Sequence, residues 1–241
     1  MSVNREKIKY VPGMYAKKRP SAEQMANAYF SDWQQRQVKR VGRPVEQHHA
    51  ICISRKIGVG AVELADMLAE RLEFRVVDRE MIEYIAENGK LSEKTVAYYD
   101  ERYADKIDEF MSFLFREKSF TMSDYTRRLV SAIYAMADDG PTIFVGRGAH
   151  LVLPRESVLA IRLIASKSYR IYRLARVLDV SPDLAVMELE ELDNLQRKFF
   201  KKAYNVKDAS PYEFDLVLNL DHLRTLSCAA DIIQKAYECK F

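Results

Sequence analysis

From His49 onward the chain alternates short apolar runs with longer stretches in which apolar residues recur every three or four positions. His49 to Ser54 predicts a first strand, Gly60 to Leu72 a first helix and Phe74 to Val77 a second strand ending at Asp78-Arg79. Residues 79 to 139 are expected to be predominantly helical and carry Tyr84, Tyr98, Tyr99, Tyr103, Phe110, Phe113, Phe115, Phe120 and Tyr125, most of them as core or interhelical packing. Asp139-Gly140-Pro141 marks a turn, and Thr142 to Val145 and Val158 to Ala165 are the third and fourth strands. A helix from Lys167 and a second one capped by Ser181-Pro182-Asp183 and running to Tyr204 precede a last strand, Leu216 to Leu220. A closing helix spans Asp221 to Tyr237. Strands alternating with helices predict the α/β class, with a parallel sheet covered on both faces.

The first 48 residues have a different character and are expected to form a basic N-terminal extension to a domain over residues 49 to 241. Pro12-Gly13 and Lys17-Lys18-Arg19-Pro20 predict extended chain. Ser21 with Gln24 is a capping-box signal, and Met25, Ala28, Tyr29 and Trp33 recur at helical spacing until Gly42-Arg43-Pro44 breaks the pattern. Leaving Tyr29, Phe30 and Trp33 in water is costly, so this helix is expected to pack on the domain or on a partner subunit. Residues 1 to 49 hold ten Lys/Arg against four acids, within a whole chain of net charge +3. Such an arm can attract nucleic acid, but a solvated tail or an arm that clasps a second copy into a homo-oligomer is the more frequent explanation.

Length and apolar content, 241 residues and 48%, suffice for one large domain. The cysteines, Cys52, Cys228 and Cys239, are too scattered for a disulfide framework or a zinc cluster. No apolar run approaches membrane-spanning length, so a soluble, cytoplasmic protein without membrane contact is expected. The four histidines do not suggest a metal site, His48 and His49 pointing to opposite sides of a strand and His150 and His222 standing alone.

Chemistry is concentrated at the strand exits, where ligands of parallel sheets collect. The run Ser54-Arg55-Lys56-Ile57-Gly58-Val59-Gly60-Ala61-Val62 joins a buried strand to a helix through a glycine turn. Its backbone N–H groups and the positive helix end can hold phosphate oxygens. The usual Gly-Lys-Ser/Thr ending, which supplies a cation and a metal-binding hydroxyl, is replaced by Ala61 and Val62. Asp78-Arg79 and Gly146-Arg147-Gly148 complete an anion-binding rim that favours a nucleotide or a small phosphorylated ligand. Arg170, Arg173 and Arg176 share one helix side, either as a closing lid or as a solvated face, and Asp193 with Arg197 is spaced for an i,i+4 ion pair.

Ile53-Ser54-Arg55, Gly58-x-Gly60, Val77-Asp78-Arg79-Glu80, Val145-Gly146-Arg147-Gly148, Arg173 and Arg176, Asp193, and Phe214-Asp215-Leu216-Val217-Leu218-Asn219 follow one another across residues 49 to 236. In that order they resemble the cytidylate-kinase-like family of P-loop proteins. The resemblance implies a P-loop NTPase-type sheet with helical NMP-binding and lid regions, and ATP-dependent phosphoryl transfer with Mg²⁺ to a nucleoside monophosphate, CMP first, or a related small acceptor. It implies a donor phosphate site at Ser54, Gly58, Val59, Gly60, Ala61 and Val62. It further implies catalytic charge from Arg55, Arg147, Arg173 and Arg176, to which Lys56 offers an additional cation of this chain's own, and acceptor contacts from Asp78, Arg79, Arg147, Asp193 and Arg197. The chain departs from the family at Val62, where an arginine is common, at Lys56, where an acid is common, and at Gln196, the arginine being displaced to Arg197. These departures leave a competing expectation, a nucleotide-binding or regulatory protein on the same fold with impaired catalysis. An interaction module acting through the basic arm is a third.

Overall fold

The apolar runs become five parallel strands in a computed structural model that describes residues 14–15, 17, 19–40, 48–98, 123–207 and 209–241. The strands are β1 (Ala50–Arg55), β2 (Arg75–Asp78), β3 (Thr142–Val145), β4 (Val158–Ile164) and β5 (Leu216–Asn219), in the order β2-β3-β1-β4-β5. Central β1 pairs with β3 and β4, Ala50 lying opposite both Thr142 and Val158. All six of its residues are buried, the condition that an unbroken apolar run meets in a doubly covered sheet.

Period-2 alternation sends the two sides of β1 into different cores. Ala50 and Cys52 meet α3 (Arg79–Glu87), α4 (Asp124–Asp139) and residues of α1 (Ala22–Arg40), while Ile51 and Ile53 meet α2 (Ala61–Leu72) and α8 (Leu226–Lys240). A smaller third core joins Ile57 to Leu174 of α6 (Lys167–Leu178) and to Ala185, Leu189 and Leu192 of α7 (Pro182–Tyr204). One short helix, α5 (Ala149–Val152), follows β3. Residues 89–98 are helical beyond a break at Asn88.

The expected capping box starts α1, Gln24 N–H donating to Ser21 Oγ at 3.2 Å and Ser21 N–H to Gln24 Oε1 at 3.0 Å. Tyr29 and Phe30 are buried in one core with Ile82, Ile133 and Phe144, and Trp33 stands edge-on to both Phe30 and Tyr98. Several cations of the arm have internal partners: Arg36 donates to Asp139, Arg19 pairs with Asp66 and Asp78, and Lys17 with Glu70. Tyr84 and Tyr125 pack on the same core, as expected. The turn at Pro12-Gly13, Lys18, the break at Gly42-Arg43-Pro44, and Tyr99, Tyr103, Phe110, Phe113, Phe115 and Phe120 lie outside the described residues.

Several expected boundaries move by a few residues, and two of the shifts have a visible cause. The last helix starts at Leu226 instead of Asp221, because Asn219 accepts from Asp221 N–H to close a short 3₁₀ turn and Thr225 then caps the helix by accepting from Cys228 N–H at 3.2 Å. His49 precedes β1, which begins at Ala50, and stacks on Phe241 with ring centroids 3.8 Å apart. No helix among the described residues is long and apolar enough to cross a membrane.

Asp139 fastens α1 and β2 to the end of α4. Its carboxylate is fully buried and accepts from Arg36 at 2.7 Å and from Arg75. Asp139→Asn leaves two guanidinium groups without their charge partner and should cost about 3 kcal/mol in chemical denaturation. A loss below about 1 kcal/mol would show that Asp139 does not bind these elements together.

Candidate active site

The turn leaving β1 is shaped by two glycines, Gly58 at φ 84° and Gly60 at φ 80°, a left-handed conformation that residues with a Cβ seldom adopt. Space is tight as well. A Cβ on Gly58 would stand 3.2 Å from the Arg170 carbonyl oxygen, and one on Gly60 would stand 2.7 Å from the Arg173 guanidinium. Gly60 ends the turn and α2 begins at Ala61, so the helix N-terminus faces the hollow of the loop.

The α6–α7 hairpin clamps this loop. Ile57 is buried between the two helices, and Arg170 Nη1 donates to the Ile57 carbonyl at 3.4 Å and to both Asp193 oxygens at 2.8 and 3.0 Å. Gln196 Nε2 donates to the Arg55 carbonyl at 3.0 Å. Asp193 thus pairs with Arg170 across the hairpin; the expected helix-surface pair with Arg197 is replaced because α6 lies directly against α7 and brings a buried guanidinium to the same carboxylate. Arg173 pairs with Glu63, whose carboxylate stands in the first turn of α2. Arg176 lies over the Tyr172 ring at 5.7 Å.

Three of the hollows among the described residues lie in or beside the loop. The smallest, about 20 Å³, is lined by Arg55 through Glu63 together with Arg173, Met14 and Tyr15. An open groove of about 470 Å³ runs past Tyr15, Tyr169, Tyr172, Arg173 and Arg176. A cavity of about 170 Å³ lies beside the loop, lined among others by Ser54, Lys56, Arg162, Asp193, Gln196 and Arg197. Lys56 lines both the loop hollow and the cavity.

The expected acceptor residues therefore divide into two groups. Asp193 and Arg197 line the cavity. Asp78 instead caps α3, accepting from Met81 N–H at 3.0 Å, and also pairs with Arg19. Arg79 Nε donates to Glu83 at 3.0 Å, and the same carboxylate pairs with Arg147, which lies 3.8 Å from the Phe199 ring centroid. Burial, followed by the neighbouring charges of Arg79 and Arg55, pushes the Arg147 guanidinium well below its ordinary value. The backbone of Gly146-Arg147-Gly148 is left-handed at all three residues, and Tyr204 donates its hydroxyl proton to the Arg147 carbonyl at 2.6 Å.

Four contributors escape sequence reasoning: Glu63, His150, Arg162 and Glu213. Arg162 sits mid-strand on β4 and donates to Ser54 Oγ at 2.6 Å, a contact set by the register of β1 on β4. His150 and Glu213 belong to segments distant in sequence yet lie 3.6 Å apart beside the cavity. Only the acid in the first turn of α2 carried a local signal, since carboxylates favour helix N-termini.

The loop's left-handed glycines and the start of α2 enclose a hollow with Arg55, Lys56 and Arg173 as the neighbouring cations. A magnesium ion gains no hydroxyl from Val62, which is buried in the core. Among the described residues no group of three or more His, Cys, Asp or Glu side chains is placed to hold a metal.

Gly60→Ala should destabilise the fold by about 1 to 2 kcal/mol and displace Arg173 from Glu63, because a positive φ and a steric overlap are imposed together. Denaturation at neutral pH checks this, and unchanged stability would contradict the close packing of Arg173 on the loop. Burial pushes the His150 imidazole below its ordinary value, and the neighbouring His150 side chain holds the Glu213 carboxyl down. The unfolded chain consequently binds more protons than the native protein once pH falls below about 6.5, so stability declines with acidification through that range. His150→Gln should flatten this part of a melting-temperature profile between pH 7.5 and 5.5; an unaltered slope would remove His150 as its source.

A sequence model described as "Cytidylate kinase-like family" matches residues 50–222. An uncharacterized protein from Eubacterium ventriosum has a similar structure, with 19% identity, a TM-score of 0.62 and alignment over 80% of this chain and 99% of that one. A shikimate kinase from Bacteroides thetaiotaomicron aligns at 15% identity and TM-score 0.44 over 79% of this chain and 98% of its own. A gluconokinase from Sinorhizobium meliloti does so at 11% and 0.43 over 81% and 99%. No curated protein matches the sequence. With the family match spanning most of the chain, and the loop, parallel sheet and arginine-bearing hairpin in the order that the resemblance implies, the chain belongs to the cytidylate kinase-like family.

Proposed function

We propose that the protein transfers a phosphoryl group from ATP, held on the loop at residues 58–62, to a nucleoside monophosphate, CMP first, seated in the neighbouring cavity. The observation that carries this reading is the shared position of Lys56, which lines both hollows and so stands at the boundary that the transferred group must cross. Family membership supports kinase chemistry on a nucleotide or small molecule in general terms; the choice of CMP follows from the resemblance of the motifs.

In this mechanism the backbone amides of the loop hold the donor phosphates and the positive end of α2 stabilises their charge. Arg173 exchanges its Glu63 carboxylate for phosphate oxygens. Arg197 and Lys56 orient the acceptor phosphate so that one of its oxygens bonds to the γ-phosphorus as the bond to the β,γ-bridging oxygen breaks, with ADP leaving. Lys56 follows the charge that moves between the two sides. Positioning and charge neutralisation account for most of the barrier reduction in such transfers. ATP binds with Mg²⁺, which offsets phosphate charge.

A second reading, nucleotide binding without turnover, is favoured by the burial of Ala61 and Val62 in the core, where the usual loop carries its cation and hydroxyl. Product analysis with labelled ATP, Mg²⁺ and a panel of nucleoside monophosphates separates the two. CDP formation from CMP supports transfer, whereas saturable ATP binding with no labelled acceptor supports the alternative. Lys56→Met should lower kcat/KM by about a hundredfold or more with little change in melting temperature; wild-type activity in this variant would overturn the shared-cation mechanism.

A further inference from the structure

The cavity beside the loop contains a polar group that the transfer mechanism leaves unused. His150 has a side chain only 4% exposed, lines the cavity, and its Nε2 has no hydrogen-bond partner. The nearest carboxylate oxygen, Glu213 Oε2, lies at 3.6 Å, longer than a hydrogen bond. A buried, unsatisfied imidazole nitrogen costs free energy unless something else meets it.

Its surroundings hold the ring in place. His150 lies against Phe214 with ring centroids 4.8 Å apart, at the end of the 3₁₀ turn Pro211–Glu213. Ser210 and Glu213 close that turn with a reciprocal capping box, so the carboxylate is held near the cavity by its own backbone. Arg162, anchored on Ser54, adds a fixed cation to the same wall. The cavity therefore joins cations suited to an anion, at Lys56, Arg162 and Arg197, to an imidazole and a carboxylate with capacity for a neutral donor or acceptor. Neither His150 nor Glu213 lines the loop hollow.

We infer that His150 and Glu213 form a hydroxyl-recognition pair, His150 Nε2 and a Glu213 oxygen bonding a hydroxyl of an acceptor whose phosphate is held by Lys56 and Arg197. This rests on the proposed acceptor role of the cavity and narrows it to hydroxyl-bearing phosphate esters, such as the sugar phosphate portion of a ribonucleotide. An alcohol is both donor and acceptor, so it can meet an imidazole nitrogen and a carboxylate at once, which a bare anion cannot. The two residues are specificity determinants that orient the acceptor; phosphoryl transfer does not pass through them.

Titrating the full-length protein with CMP, 2′-deoxy-CMP, ribose 5-phosphate and inorganic phosphate while following the imidazole resonances by NMR tests the inference without needing turnover. CMP or ribose 5-phosphate should move the His150 resonance, identified by its loss in His150→Gln, and inorganic phosphate alone should not. In calorimetry Glu213→Gln should weaken the hydroxylated ligand that binds best by at least tenfold while leaving inorganic phosphate within twofold. If CMP moves His150 yet no CDP forms with ATP and Mg²⁺, the recognition pair stands and the kinase reading fails. Should CDP form while His150 stays unmoved by every ligand and Glu213→Gln keeps the wild-type KM for CMP, the kinase reading stands and the pair is overturned. No response of His150 to any of the hydroxylated phosphates likewise overturns it, and because this titration uses the wild-type chain it does not depend on the variants folding.

Discussion

Arg170 is the residue through which loop, hairpin and cavity are held in one arrangement. Its carbonyl packs closely over Gly58, 3.2 Å from where a Cβ would stand, and its guanidinium bonds to the Ile57 carbonyl and to Asp193. A backbone contact and a buried apolar side chain therefore join α6 to the turn after β1, and the ion pair joins α6 to α7. Because a buried guanidinium without its carboxylate is costly, the arrangement is held as a unit. The carboxyl ends of β1 and β4 then lie under α7, and the cavity is the space left between them.

Charge around the loop is distributed differently from a loop with a lysine of its own. Glu63 occupies Arg173, Glu83 is shared by Arg79 and Arg147, and Asp193 occupies Arg170. In the proposed mechanism only the Arg173–Glu63 pair exchanges its carboxylate for donor phosphate, while Asp193 stays on Arg170 as part of the clamp. Lys56 differs in facing two hollows at once.

Much of this was legible in the sequence, for identifiable reasons. Strand Thr142–Val145 and the span of α7 from its Ser181 cap to Tyr204 follow from local apolar runs and capping chemistry, and the structure has both. The two loop glycines were legible because a strand-to-helix turn needs positive φ. What was not legible depends on which helix lies against which strand. The i,i+4 spacing of Asp193 and Arg197 suggested a pair, but tertiary packing delivers Arg170 to Asp193 first. Arg147 reads in sequence as part of an anion-binding rim, and what could not be read is that the Phe199 ring from α7 covers it and Glu83 pairs with it. His150, Arg162 and Glu213 occupy three separate segments, and no periodicity signals that they share a wall.

The most direct measurement is a crystal structure of the complex with a non-hydrolysable ATP analogue and CMP. The account places the analogue's phosphates on the amides of residues 58–62, the CMP phosphate in the cavity beside Arg197, and Lys56 Nζ between the γ-phosphate and the acceptor. An analogue bound away from the loop, or a CMP phosphate held by Arg147 with the cavity empty, would contradict it.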